Sequence, residues 1–171
     1  MTAIRLFLVM TLLTGLMYPL CITGISQILF HEKSNGSIIF HHGKPVGSLL
    51  ISQEFKSDRY FWSRPSAIGF NTLPSGGSNL SPSSKKYKAQ LNPQGCSELW
   101  MSSGSGLDPH LTPQAILYQL DRIVQARHLS PVQKAHLITL IQAHTEWPDW
   151  GLFGESRINV LALNLALDRL Q

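Results

Sequence analysis

Leu6–Phe30, LFLVMTLLTGLMYPLCITGISQILF, is a run of 25 residues without a charge. At a helical rise of about 1.5 Å per residue it spans roughly 37 Å. A hydrocarbon core of about 30 Å takes around 20 such residues. The run therefore predicts a transmembrane helix within residues 1–30. A cleaved signal peptide has a shorter apolar core, about 7–15 residues, and ends at small residues. This run is longer and has no A-x-A-like site, so an uncleaved anchor is expected. Cys21 follows Leu20 rather than a small residue, which argues against lipoprotein processing. Arg5 precedes the span, and the positive-inside bias then places the N-terminus in the cytoplasm. Residues 31–171 are expected outside, as a periplasmic domain on the inner membrane of a Gram-negative cell.

The span is not plain lipid-facing leucine. Thr14-Gly15 and Thr23-Gly24 recur nine residues apart, with Pro19 between them. Small residues let helix backbones approach, and hydroxyls bond across helices. Thr14, Gly15, Pro19, Thr23 and Gly24 are thus candidate packing residues against other membrane helices. The plainer alternative is a simple anchor that tolerates them.

Charge narrows the function classes. The 171 residues carry 14 Lys and Arg against 10 Asp and Glu, a net charge of +4. The densest basic run, KKYK at 85–88, is short and reads as solvated loop, not as a nucleic-acid surface. The two cysteines form neither a disulfide framework nor a zinc spacing. Seven histidines are present without H-E-x-x-H; His136 and His144 are eight apart, and His41-His42 alternate across a strand. No metal site is expected.

The outer domain reads as α+β: an N-terminal hairpin and short strands, then C-terminal helices. Ser37–His41 and Val46–Ser52 read as a hairpin around HGKP. DRYFWSRPS (58–66) reads as an irregular surface segment packed by its own rings, and 71–95 as a Gly/Ser/Pro/Asn loop. ELWM (98–101) suggests a short strand. Thr112 is a good N-cap with Pro113 next, and Ile116, Leu120, Ile123 and Val124 share one face of a helix to about His128. Ser130, Pro131 and Gln133 spell a capping box for a helix to about His144, with Ala135, Ile138 and Ile141, or Leu137 and Leu140, inward. NVLALNLALDRL (159–170) fits either period; its Leu and Ala favour helix.

SGSGLDPH (103–110) holds Ser, Asp and His, yet it fails the nucleophile elbow G-x-S-x-G, because Ser103 and Leu107 flank Ser105. Around Ser78 only Gly76 fits. Gly43-Lys44-Pro45 is no Walker A loop. The two Gly-rich loops, SGGSNL (75–80) and SGSG (103–106), are able to present backbone N–H groups to an anion. Asp108-Pro109 is expected to turn the chain toward Thr112, with Asp108 accepting backbone N–H groups. No catalytic residue is assigned.

The ordered set LLTGLMYPL (12–20), NGSII (35–39), VGSLLI (46–51), YFWSRPSA (60–67), SGGSNL, SGSGLDPHLTPQA (103–115), RIVQARHLS (122–130), AHTE (143–146) and NVLALNLALD (159–168) resembles the C subunits of the Kdp potassium-transporting ATPase. The chain departs from that family in three ways. Some twenty residues, largely helical, are missing between SGGSNL and SGSGLDPH; Ser63 stands where Gly is frequent, and Ser156 where Pro is. The resemblance implies a non-catalytic subunit of an ATP-driven complex that imports K+. Its partners would be a P-type ATPase subunit, a K+-channel-like subunit and a very small membrane subunit. It also implies a role in assembly, and as a catalytic chaperone raising ATP affinity in a ternary complex with ATP. Arg64, Ser75, Gly76, Gly77, Ser78, Asn79, Ser105 and Asp108 are the candidate nucleotide or partner contacts. Two other readings remain: a stand-alone anchored periplasmic binding domain using the Gly-rich loops, and an anchored hydrolase using Ser105 or Ser78 with His110.

Overall fold

A computed structural model describes residues 1–41, 43–90 and 95–170. His42 of the hairpin and positions 91–94 of the long loop lie outside the described residues. The chain divides into two compact units, Met1–Ser48 and Leu49–Gln171.

The first unit is the apolar helix and the hairpin. Helix runs from Thr2 to Leu29, long and apolar enough to cross a membrane, and none of it is buried. It comprises α1 (Thr2–Leu12), a π-helical turn at Leu13–Met17 and α2 (Tyr18–Leu29). Pro19 explains the turn. It has no N–H to give the carbonyl four residues earlier, Gly15, and the helix widens there. A short helix, α3 (His31–Ser34), follows. Strands β1 (Ile38–His41) and β2 (Lys44–Ser48) pair antiparallel, with a bulge between Ile39 and Phe40. The second strand was expected to reach Ser52; it stops at Ser48 and the chain turns.

The second unit is built on its helices: α4 (Lys85–Gln90), α5 (Pro113–Tyr118), α6 (Leu120–Arg127), α7 (Pro131–Ala143) and α8 (Val160–Asp168). Thr112 caps α5 by accepting the Ala115 N–H at 3.3 Å, and Ser130 with Gln133 forms the full capping box of α7. Strands β3 (His110–Leu111) and β4 (Ile158–Asn159) pair antiparallel and bring the starts of α5 and α8 together. The core gathers Ile116, Leu120 and Ile123 with Leu137 and Ile141 of α7, Ile158 of β4, and Leu163 and Leu167 of α8. Val124, Ile138 and Leu140 pack on it partly buried. The apolar periodicity of α5–α6 was legible; α7 buries one residue from each of the two stripes that its sequence offered.

Four further expectations are corrected. The helix from Thr112 is not continuous, because it tightens at Gln119, where the Gln119 N–H bonds Ile116 O. The long loop contains α4, whose start Ser84 caps by accepting the Tyr87 N–H at 3.1 Å. ELWM is not a strand: Ser97–Leu99 is a 3₁₀ turn that aims Glu98 at Thr112, whose N–H and hydroxyl both reach Glu98 Oε2 at 3.0 Å.

The fourth correction concerns residues 58–66. Phe61 is fully buried in the core. The segment forms no strand, yet five successive carbonyls accept from side chains. Arg122 donates to Asp58 O and Tyr60 O, and Arg127 to Arg59 O. Asn164 donates to Phe61 O and Gln119 to Trp62 O. The same two amides accept the N–H groups of Phe61 and Trp62, at 2.9 and 2.8 Å. Asn164 and Gln119 thus stand where neighbouring strands would. That is how buried backbone is satisfied without a sheet.

Candidate functional site

The two Gly-rich loops lie back to back. The Gly76 N–H donates to Ser105 O at 3.0 Å. A Cβ on Gly77 would come within 2.9 Å of Gly104 O, and one on Gly106 within 2.8 Å of Gly76 O. Gly106 also has φ +70°, a conformation that side chains rarely adopt. These glycines are there for backbone contact. Ser103 and Ser105 serve the turn: Ser105 Oγ accepts the Leu107 N–H and Ser103 Oγ that of Asp108.

Beyond the turn, Asp108 Oδ1 accepts the His110 N–H at 3.1 Å, as expected. Arg64 Nη1 approaches Asp108 Oδ2 at 3.5 Å. His110 Nδ1 stands 3.7 Å from Asp108 Oδ1, longer than a hydrogen bond. The His110 side chain, then its backbone N–H and Arg64, hold the Asp108 carboxyl below the usual carboxylate range, against partial burial that raises it. A cleft of about 300 Å³ opens here, and Glu98, Thr112, Glu155, Ser156 and Arg157 complete its wall. It alternates cations with carboxylates, which suits a polar or zwitterionic surface better than a lone anion.

The structure thus unites Arg64 with Asp108, Gly76 with Ser105, and Gly77 with Gly104. Ser78 borders a different cleft with Leu80, Lys86, Trp100 and Ser102, about 530 Å³ in volume. Ser75 and Asn79 are exposed, Asn79 at φ +51°. Glu98 and Arg157 escaped sequence reasoning, since both reach the cleft from distant segments. A third cleft of about 380 Å³ was also missed. Trp62, Pro65, Leu99, Trp100 and Tyr118 line it, and the Arg122 guanidinium lies 3.7 Å from the Trp62 ring centroid. Burial, more than the nearby Asp58 offsets, lowers the pKa of Arg122. The only sequence signal was the density of rings in YFW.

In the apolar helix, the candidate hydroxyls bond inward. Thr14 Oγ1 donates to Met10 O at 2.7 Å and Thr23 Oγ1 to Pro19 O at 2.8 Å. Their oxygens keep acceptor capacity only. Nine residues of ideal helix would set the two Thr-Gly pairs on opposite faces. The π turn rotates less per residue, so the offset narrows.

Known proteins match nearly the whole chain. The profile of the family described as "KdpC: K+-transporting ATPase, c chain" matches residues 1–169. Similar curated proteins include a potassium-transporting ATPase KdpC subunit of Dechloromonas aromatica, 42% identical over 97% of this chain and 94% of its own. That of Polaromonas naphthalenivorans is 44% identical over 99% and 93%, and that of Pseudomonas entomophila 45% over 98% and 93%. The Polaromonas alignment spans 186 positions, more than the 171 residues here, so that relative carries residues this chain lacks.

Proposed function

Since the chain belongs to the family of K+-transporting ATPase c chains, we propose that it is a non-catalytic accessory subunit of an ATP-driven K+ uptake complex. Its partners would be the ATP-hydrolysing P-type subunit, a K+-channel-like subunit and a very small membrane subunit. The observation that carries this reading is the family match over residues 1–169 joined to a helix, Thr2–Leu29, that is long and apolar enough to cross a membrane and has no residue buried. An isolated anchor needs only apolar bulk. Here a proline and a π turn expose backbone that a neighbouring helix is suited to cover.

In this reading the single pass leaves the N-terminus in the cytoplasm and residues 31–171 in the periplasm. Any rise in the ATP affinity of the ATPase subunit then travels through the membrane helix and the assembly, since ATP is cytoplasmic. The chain acts as a catalytic chaperone by stabilising the nucleotide-ready state of its partner. Arg64, Asp108, Ser105 and the loop Ser75–Asn79 are assigned to partner contact rather than to chemistry, with Thr14, Gly15, Pro19, Thr23 and Gly24 at the helix interface. The Ser103 and Ser105 hydroxyls already hold the turn, which supports the same view.

Co-expression with the ATPase and channel subunits tests it. The chain is expected to co-purify with them, and its deletion to abolish K+-stimulated ATP hydrolysis. Hydrolysis intact without the chain would refute the essential role. A monomer in detergent whose melting shifts with small anions would favour the stand-alone binding domain.

A further inference from the structure

The turn between α7 and β4 carries the sequence EWPDWGLFGE, residues 146–155. Its apex is apolar and bare: Trp150 is 91% exposed, Leu152 82%, Trp147 73% and Phe153 62%. Soluble surfaces rarely leave so contiguous an apolar patch uncovered. The turn is also braced by its own bonds. Glu146 and Arg157 exchange both backbone hydrogen bonds at 2.8 and 2.9 Å, and their side chains pair at 3.0 Å. The Asp149 N–H donates to Phe153 O at 2.9 Å, and Trp150 meets Phe153 edge to face. Trp150 is held at φ +54°, where a bulky residue is an outlier and Gly or Asn would turn the chain at less cost. A strained, preorganised, exposed indole is what a binding anchor requires.

We propose that residues 147–153 form a docking knob that inserts into an apolar pocket with a basic rim on another subunit of the same membrane. The proposal rests on the accessory-subunit reading. Charge selects this occupant. The knob and its base carry Glu146, Asp149 and Glu155 against Arg157 alone. An anionic lipid surface repels that base; a protein pocket edged with Lys or Arg attracts it. Glu155 and Arg157 also line the Arg64–Asp108 cleft, so the knob continues the surface already assigned to partners. A shared membrane raises the effective concentration of partner, so a small contact suffices.

The test uses the full chain co-expressed with the ATPase and channel subunits. A benzoylphenylalanine placed at Trp150 is expected to photo-crosslink to a protein subunit, while one at the equally exposed Leu73 does not. Trp150→Gly relieves the backbone strain, so its melting temperature should equal or exceed that of the wild type. Its retention in the complex after a salt and detergent wash should fall at least tenfold. Glu155→Lys should also lower retention. Adducts with lipid alone, or undiminished retention of Trp150→Gly, overturn the docking knob and leave the accessory reading standing. A wild-type chain that never co-purifies overturns both.

Discussion

Asn164 shows most plainly what one residue does for this fold. It is buried in α8, and both ends of its amide bond the backbone of Phe61. Replacing it by Ala leaves a buried N–H and a buried carbonyl without partners. Each costs about 1–3 kcal/mol, so Asn164→Ala should lose about 2–6 kcal/mol of unfolding free energy. Urea titration of the full chain in mild detergent reads that loss; a change below about 0.5 kcal/mol would show that water or a shifted segment replaces the amide. Asp108 makes a second residue-scale prediction. Its folded carboxyl is held low by His110 and Arg64, so the ionised form adds stability that is present above the ordinary carboxylate pKa of about 4. That stability disappears as pH falls through the lowered folded value. Asp108→Asn should therefore unfold at lower urea than wild type at pH 7, and the gap should narrow as the pH falls below about 4. A gap independent of pH would assign the loss to packing instead.

At the scale of elements, the two Gly-rich loops behave as one unit. Gly106→Ala puts a methyl 2.8 Å from Gly76 O at a positive φ, whereas Gly104→Ala meets nothing within 4 Å. The first should cost about 2–4 kcal/mol, summing overpacking and left-handed strain; the second should stay within about 1 kcal/mol. Equal melting temperatures for the two variants would contradict the close loop contact. Elements whose signals are local were legible in sequence. Ser130-Pro131 with Gln133 announced α7, Thr112-Pro113 announced α5, and SGSG announced a turn, because caps and turns are bonded within a few residues. Strand 98–101 was misread, because Glu98 is committed to Thr112, fourteen positions away. Residues 58–66 were misread for the same reason: their hydrogen-bond partners are Gln119, Arg122, Arg127 and Asn164. α4 was missed among Ser and Lys residues that also suit loops, although Ser84 was a usable cap.

For the whole molecule, the uncharged helix and Arg5 set the expected topology. Alkaline phosphatase fused after residue 31 or at the C-terminus should be active, and a cytoplasmic-only fluorescent reporter at either place should be dark. The reverse pattern would put the domain beside ATP and reopen direct nucleotide contact. The sequence by itself determined the membrane-length helix, the α+β content, the starts of α5 and α7 and the family. Each of these rests on composition, on local hydrogen bonding or on ordered motifs along the chain. Only the tertiary structure decided that Phe61 is core, that side-chain amides stand in for a sheet, that Arg64 meets Asp108 and Arg157 in one cleft, and that EWPDWGLFGE ends in a bare aromatic apex. Those features depend on which distant residues come together. Burial and pairing between segments that far apart leave no local period or cap to read.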